Sequence, residues 1–228
     1  FSDALENGLV GWWKFDEANG TVAYDSSGNG NDGNLTNGPT WVGGKIGGAL
    51  SFDGVDDYIH VPNSSELNPN NLTISTWYYG TKSFSGVGTN VIIHKPYGSH
   101  SNPFYQWMFS IGGDLYDNDN IFTFGIIAQQ TSSYFHLEPQ QTISNWNHIV
   151  GTVNATSQKI YSYLNGILMH QNDWSFSLIP TYGTDIFIAK QGNLPGSTAH
   201  TPGILDDIRI YDRALSAAEV QALYNMGQ

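Results

Sequence analysis

The sequence predicts an all-β fold: two antiparallel sheets packed as a sandwich or jellyroll. Three observations predict it. Short apolar or alternating runs recur along the chain and are cut by turn residues. The composition suits strands, with 14% aromatic residues, 26 glycines and only 12% charged residues. The length, 228 residues, fits one unit, because all-β sandwiches often run about 200–250 residues as a single domain.

The runs at 9–16, 49–53, 58–61, 72–79, 91–94, 105–111, 121–128, 147–153, 159–164, 167–170, 185–189 and 203–211 are the expected strands. Asn165-Gly166 lies between two of them and is the clearest hairpin signal. One segment departs from strand chemistry. Ser216 with Glu219 three residues on fits a capping box, and Ala217, Val220, Leu223 and Tyr224 follow at helical spacing before Gly227. A short helix is expected over 216–225. Residues 1–8 read as a linker remnant and 9–228 as one domain.

Charge excludes several functions. Six Lys and two Arg stand against 20 acids, for a net charge of −12. Nucleic acid and anionic membranes need clustered positive charge, which is absent. No run of about eighteen apolar residues marks a membrane span. No Cys is present, so disulfides, Cys-ligated zinc and thiol chemistry are excluded. The chain starts at Phe1, not Met, and carries no signal peptide. It is expected to be a trimmed piece of a longer protein with covalently linked neighbouring domains. The acids are skewed, with 15 Asp and 5 Glu; Asp favours turns and hard-metal sites.

Ordered blocks carry a resemblance: GLVGWWKFDEANGTVAYDSSGNGNDGNL, GKIGGALSFDGVDDYIHVP, LTISTW, WNHIVGTVN, IYSYLNG and GILDDIRIYDRALSAAEVQALY. Together the chain resembles laminin-G-like, concanavalin A-like jellyroll domains of the bacterial secreted type. The resemblance implies two antiparallel sheets, a bound calcium, and non-catalytic glycan binding or adhesion outside the cell. The same fold hosts glycosidases and polysaccharide lyases, so fold alone does not decide function.

Calcium has its own residue pattern. Asp25-Ser-Ser27-Gly-Asn29-Gly30 places oxygen side chains at alternate positions, like half of an EF-hand loop. The twelfth position is Thr36, not Glu, so an EF-hand is not expected. The family resemblance implies a different site joining the chain ends, with Asp16, Asp53 and Asp206 as metal ligands; Asp25 is an added candidate. Asp25, Ser27 and Asn29 are equally good turn formers, and Asp206 or Asp207 is placed to pair with Arg209. A second acidic loop, 114–120, reads as a solvated turn.

An enzyme is not expected. Retaining glycosidases need two carboxyls about 5–5.5 Å apart, and no Glu-x-Asp-x-x-Glu strand occurs. There is no Gly-x-Ser-x-Gly elbow and no His-Glu-x-x-His. Sugar recognition needs aromatic faces and fixed polar groups. The candidate ligand-binding residues are Tyr97, His100, Asn102, Trp107, Trp174, Asn193 and His200. They lie mostly in loops, where specificity usually sits. On the strand 105–111, Tyr105, Trp107 and Phe109 share one face and Gln106, Met108 and Ser110 the other; the aromatic face is either core or a stacking platform. The expected function is a calcium-stabilised, non-catalytic module, secreted or at the cell surface, that binds a neutral glycan or polysaccharide or a cell-surface glycoprotein. The alternatives are an adhesion module for a protein partner, or a glycosidase or lyase.

Overall fold

The computed structural model describes residues 2–81, 89–96, 105–112, 122–128, 131–137, 144–173, 182–191 and 200–228. The strands are β1 (Leu9–Trp13), β2 (Val22–Ala23), β3 (Gly33–Thr36), β4 (Thr40–Gly43), β5 (Gly48–Asp53), β6 (Tyr58–Val61), β7 (Leu72–Tyr79) and β8 (Thr89–Pro96). They continue with β9 (Tyr105–Gly112), β10 (Phe122–Ala128), β11 (Thr131–Leu137), β12 (Trp146–Asn154), β13 (Lys159–Leu164), β14 (Ile167–Asp173), β15 (Ile186–Ile188) and β16 (Pro202–Tyr211). The helices are α1 (Ser2–Glu6) and α2 (Ala217–Met226).

Two eight-stranded antiparallel sheets form the predicted jellyroll sandwich. Sheet A runs β14-β13-β12-β7-β16-β5-β4, with β1 also paired to β16; sheet B runs β11-β10-β9-β8-β15-β6-β3-β2. Alternation along each strand sends one set of side chains into the space between the sheets. Leu72, Ile74 and Tyr78 of β7 and Leu205, Ile208 and Ile210 of β16 meet Ile59, Val61, Ile93, Phe109, Ile186 and Ile188 of sheet B there. Each such side chain contributes about 1.5–3 kcal/mol on full burial. Trp107 belongs to this core and is 0% exposed. Trp107 and Phe109 of β9 are therefore core, and Trp107 is removed from the ligand-stacking residues.

Local signals explain the connections. Asn165 and Gly166 both have positive φ, 49° and 80°, the condition for a two-residue type I′ hairpin. They join β13 to β14 with Leu164 opposite Ile167. The C-terminal helix carries the full capping box: Glu219 N–H donates to Ser216 Oγ and Ser216 N–H to Glu219 Oε2. α2 lies on the outer face of sheet A, where Val220 and Leu223 pack with Val150, Tyr163, Tyr211 and Leu215. Trp77 on that face stacks with Tyr224 at 5.7 Å between ring centroids.

Four strands, β2, β3, β4 and β11, were not expected from the runs. The first three are only two to four residues long within Gly- and Asn-rich sequence, too short to show a period. Within the segment read as a linker remnant, Ser2–Glu6 forms α1. Arg213 ties it down, donating from Nη2 to Ala4 O at 2.8 Å and from Nε to Asn7 O at 2.7 Å.

Candidate functional site

Asp16 and Asp206 both accept hydrogen bonds from the backbone of one turn. The turn follows β4 and is closed by Gly44 N–H donating to Gly47 O at 2.9 Å. Gly48 N–H donates to Asp16 Oδ1 at 2.7 Å, and the Lys45 and Ile46 N–H groups donate to Asp206 Oδ2 at 2.8 Å each. The glycines are required: Gly47 has φ +73°, its Cβ would strike Asp16, and a Cβ on Gly44 would lie 2.6 Å from Asp206 Oδ2. Asp206 is 0% exposed, and its Oδ1 has no hydrogen-bond partner. Burial pushes its carboxyl up to about 7, with the charges of Asp207 and Asp16 adding to the rise.

A bulge builds this corner. Between Asp206 and Arg209 the pairing with β7 shifts register, and Asp207 takes φ +50°. Asp207 is thereby turned to Arg209, whose Nη2 lies 3.1 Å from its Oδ1, and Trp12 Nε1 donates to the same oxygen at 2.6 Å. Of the two aspartates placed to pair with Arg209, Asp207 does so. Trp13 is core and Trp12 faces outward with the Arg209 guanidinium 4.3 Å from its ring centroid.

The other two candidate metal ligands stand elsewhere. Asp53 ends β5, five residues from Gly48, roughly 17 Å along a strand. With Asp56 and Asp57 it forms a group whose carboxylate oxygens lie within 4.8 Å of one another and could hold a metal ion. Burial, with the charges of Asp53 and Asp56, raises Asp57. Asp25 is spent on its own turn. Its carboxylate accepts from Trp12 N–H, Ser27 N–H, Ser27 Oγ–H and Asn31 N–H at 2.7–2.9 Å, as a turn-forming Asp does. The four acids do not converge on one ion.

The outer face of sheet B carries a group that the loop-centred reading missed. Tyr58 and His60 on β6 and Phe187 on β15 alternate onto it. Their rings lie 6.2 Å (Tyr58–Phe187) and 5.4 Å (His60–Phe187) apart. Lys190 Nζ sits 4.1 Å from the Tyr58 ring centroid. His60 Nε2 bonds Asp185 Oδ2 at 2.8 Å. Burial works against the Asp185 charge, but hydrogen bonds from His60 and the Asn63 N–H hold its carboxyl below the usual range. His200, a ligand candidate from sequence, reaches this group, 6.4 Å from Tyr58. Tyr97, His100, Asn102, Trp174 and Asn193, and the acidic loop 114–120, lie outside the described residues. The alternation of 58–61 was legible; that its outward members meet β15 was not.

A separate apolar groove of about 510 Å³ lies between α1, β1 and α2, lined by Leu5, Leu9, Trp12, Ala222 and Met226 with Arg209 at its side. Glu6 and Asn225 also line it, and Arg209 is committed to Asp207. Among the described residues no helix is long and apolar enough to cross a membrane.

The fold recurs among solved structures. The binding domain of Paraclostridial Mosquitocidal Protein 1 matches with TM-score 0.73 and 19% identity, over 97% of this chain and 52% of that one. This chain therefore spans about half the length of that neighbour. Domain 4 of AbnA, an extracellular arabinanase from Geobacillus stearothermophilus in complex with arabinotriose, matches with TM-score 0.68 and 18% identity, over 96% and 98% of the two chains. The binding domain of Botulinum neurotoxin DC in complex with rat synaptotagmin II matches with TM-score 0.68 and 15% identity, over 98% and 52%. No curated protein matches by sequence. A family model, however, matches residues 52–221. By that match, which spans most of its length, this chain belongs to the concanavalin A-like lectin/glucanases superfamily.

Proposed function

We propose that the domain is a non-catalytic carbohydrate-binding module of a larger secreted or cell-surface protein, stabilised by calcium and directed at a neutral glycan. The observation that carries this reading is the outer face of sheet B, where the half-buried ring of Tyr58 stands near the fixed polar pair His60–Asp185, with the buried Phe187 packed against both rings. Flat apolar faces with positioned hydrogen-bonding groups suit sugars. Four of the eight cations are committed, Arg209 to Asp207, Arg213 to Glu219, Lys159 to Asp173, and Lys95 to Asn63 Oδ1 and Thr184 O, and beside the Tyr58 ring the cation is Lys190. One lysine beside this face is little positive charge for a sulfated or uronate chain.

The turn chemistry supports calcium. Asp206 Oδ1 is a buried, unpartnered acceptor, and Asp16 is close enough to raise its carboxyl. Hard oxygens and turn carbonyls are the donor set calcium prefers. Asp16 and Asp206 would hold the ion, which would cancel their repulsion and staple β1 to β16 through the 44–48 turn.

Catalysis finds less support. Asp206 has the raised carboxyl of a general acid, yet it is 0% exposed and held by two backbone N–H groups, so a substrate has no route to it. Glu219 and Glu17 serve a helix cap and the Tyr24 N–H. A glycan array probed with the domain, with and without EDTA, tests the reading, with saturable binding to neutral glycans as the expected result. An adhesion role is the second reading. It is favoured by Ile167, Leu168 and Met169, which are 64%, 44% and 44% exposed in a row on the edge strand β14. An array blank for every glycan would favour it over the first.

A further inference from the structure

We propose that Lys95 and Asn63 join in an intramolecular isopeptide bond, a covalent cross-link between β8 and the segment that follows β6, formed with loss of one ammonia. The proposal does not depend on the carbohydrate reading above.

Lys95 is the anomaly that points to it. It is 0% exposed, and it is the one lysine buried among the described residues. Its Nζ donates to Asn63 Oδ1 at 2.8 Å and to Thr184 O at 2.7 Å. Both acceptors are neutral, and among the described residues Lys95 has no ion pair. A buried ammonium is normally bonded to a carboxylate, because nothing else makes up for its lost hydration. Burial pushes this amine down to about 8, against the opposing charge of Asp185. A desolvated lysine amine is a nucleophile. Conversion to an amide removes the buried charge altogether.

The electrophile is held beside it. Three segments meet here: the one after β6, the one before β15, and the end of β8. Asn63 N–H donates to Asp185 Oδ1 at 2.9 Å, and Thr184 Oγ1 donates to Pro96 O at 2.6 Å. Asn68 Nδ2 donates to Asn63 Oδ1 at 3.0 Å. That donor polarises the carbonyl and is aimed at the oxygen where negative charge develops during attack. A carbonyl bond is about 1.23 Å long, so Nζ stands within about 4 Å of Asn63 Cγ. Reacting atoms meet at about 3–3.5 Å, a small swing of the lysine stem. Asn63 itself is exposed, which gives ammonia a way out.

The step balances without an oxidant, a reductant or a co-reactant. The ammonium gives one proton to solvent, and neutral Nζ bonds to Asn63 Cγ. One Nζ proton then passes to Asn63 Nδ2, the Cγ–Nδ2 bond breaks, and ammonia leaves. The two residues are 32 apart in a chain without cysteine. The bond would close that loop as a disulfide does elsewhere, by restricting the unfolded chain.

Intact-mass spectrometry and peptide mapping of the whole domain test the proposal, after incubation at a pH above that of the amine's titration. The wild-type mass should fall one ammonia below that of the sequence, and the map should hold a branched peptide joining Asn63 to Lys95. Asn63→Ala should keep its full mass and give no branch. Lys95→Arg should do the same, since arginine keeps the charge and the donors but is no nucleophile. A wild-type domain at full mass overturns the proposal. So does an ammonia loss confined to succinimide at the Asn-Gly steps, or a branch that persists in either variant. The wild-type map decides alone where a variant does not fold.

Discussion

Asp206 and Asp207 are adjacent on one strand, yet only Asp207 is ion-paired: Arg209 Nη2 lies 3.1 Å from its Oδ1, while Asp206 Oδ1 is buried with no partner. The bulge at Asp207 separates them. It leaves one aspartate neutralised and the other facing Asp16 across a glycine turn.

Asp206→Asn tests the proposed calcium site separately from the fold. Wild-type domain in calcium at about 100-fold over its dissociation constant should be stabilised by about 2.7 kcal/mol relative to EDTA. The variant keeps an oxygen for the Lys45 and Ile46 N–H groups but loses the charge. Its melting temperature should be the same in calcium and in EDTA. A calcium-dependent shift that survives the substitution would place the ion elsewhere, with the Asp53, Asp56 and Asp57 group next in line.

Two buried histidines predict acid lability. Burial pushes His94 and His148 down to about 3, and for His148 the charge of Arg209 adds to the fall. Unfolded histidines titrate near 6.5. The unfolded chain therefore binds more protons below that pH, and stability is lost as pH falls from about 6.5 toward 3. Each should cost about 2 kcal/mol by pH 5. Without metal Asp206 acts in the opposite sense: its raised carboxyl stays protonated when folded, so its contribution is lost as pH rises from about 4 through 7. Urea unfolding of Asp206→Asn in EDTA isolates the histidines; a flat profile between pH 7 and 5 would contradict their neutral burial.

The C-terminal helix depends on its cap. Ser216 and Glu219 exchange hydrogen bonds, and Arg213 bonds the Glu219 carboxylate, holding it down at about 2. Ser216→Ala should cost about 1 kcal/mol, read as a lower urea midpoint with an unchanged m-value.

Trp107 distinguishes core from site. Trp107→Ala should cost about 3–5 kcal/mol, as for other large-to-small core changes. Trp107→Phe should cost less, since it also removes an indole N–H that is buried without a partner. Where Trp107→Phe folds, sugar affinity should match wild type; a selective loss of binding would return Trp107 to the ligand face.

Strand positions, the Asn165-Gly166 hairpin and the Ser216–Glu219 cap were legible because each is local: a two-residue alternation, a positive-φ dipeptide, and a three-residue spacing. The resemblance of whole blocks named Asp16 and Asp206 together, but that both bond the 44–48 turn is seen only in the structure. Distances of 190 residues along the chain leave no local trace. Asp53 and Asp25 looked equivalent to them as acids near strand ends, and only the path of β5 and the hydrogen bonds of the Asp25 turn set them apart. The faces of β9 show the same division. Alternation separates Trp107 from Gln106, but which set points to the core depends on what the neighbouring strands present. Here Phe109, opposite Ile93 of β8, and Trp107 join the core, and the pairing shifts register at Gln106. Local chemistry set the elements; the long-range pairing of strands decided which residues meet.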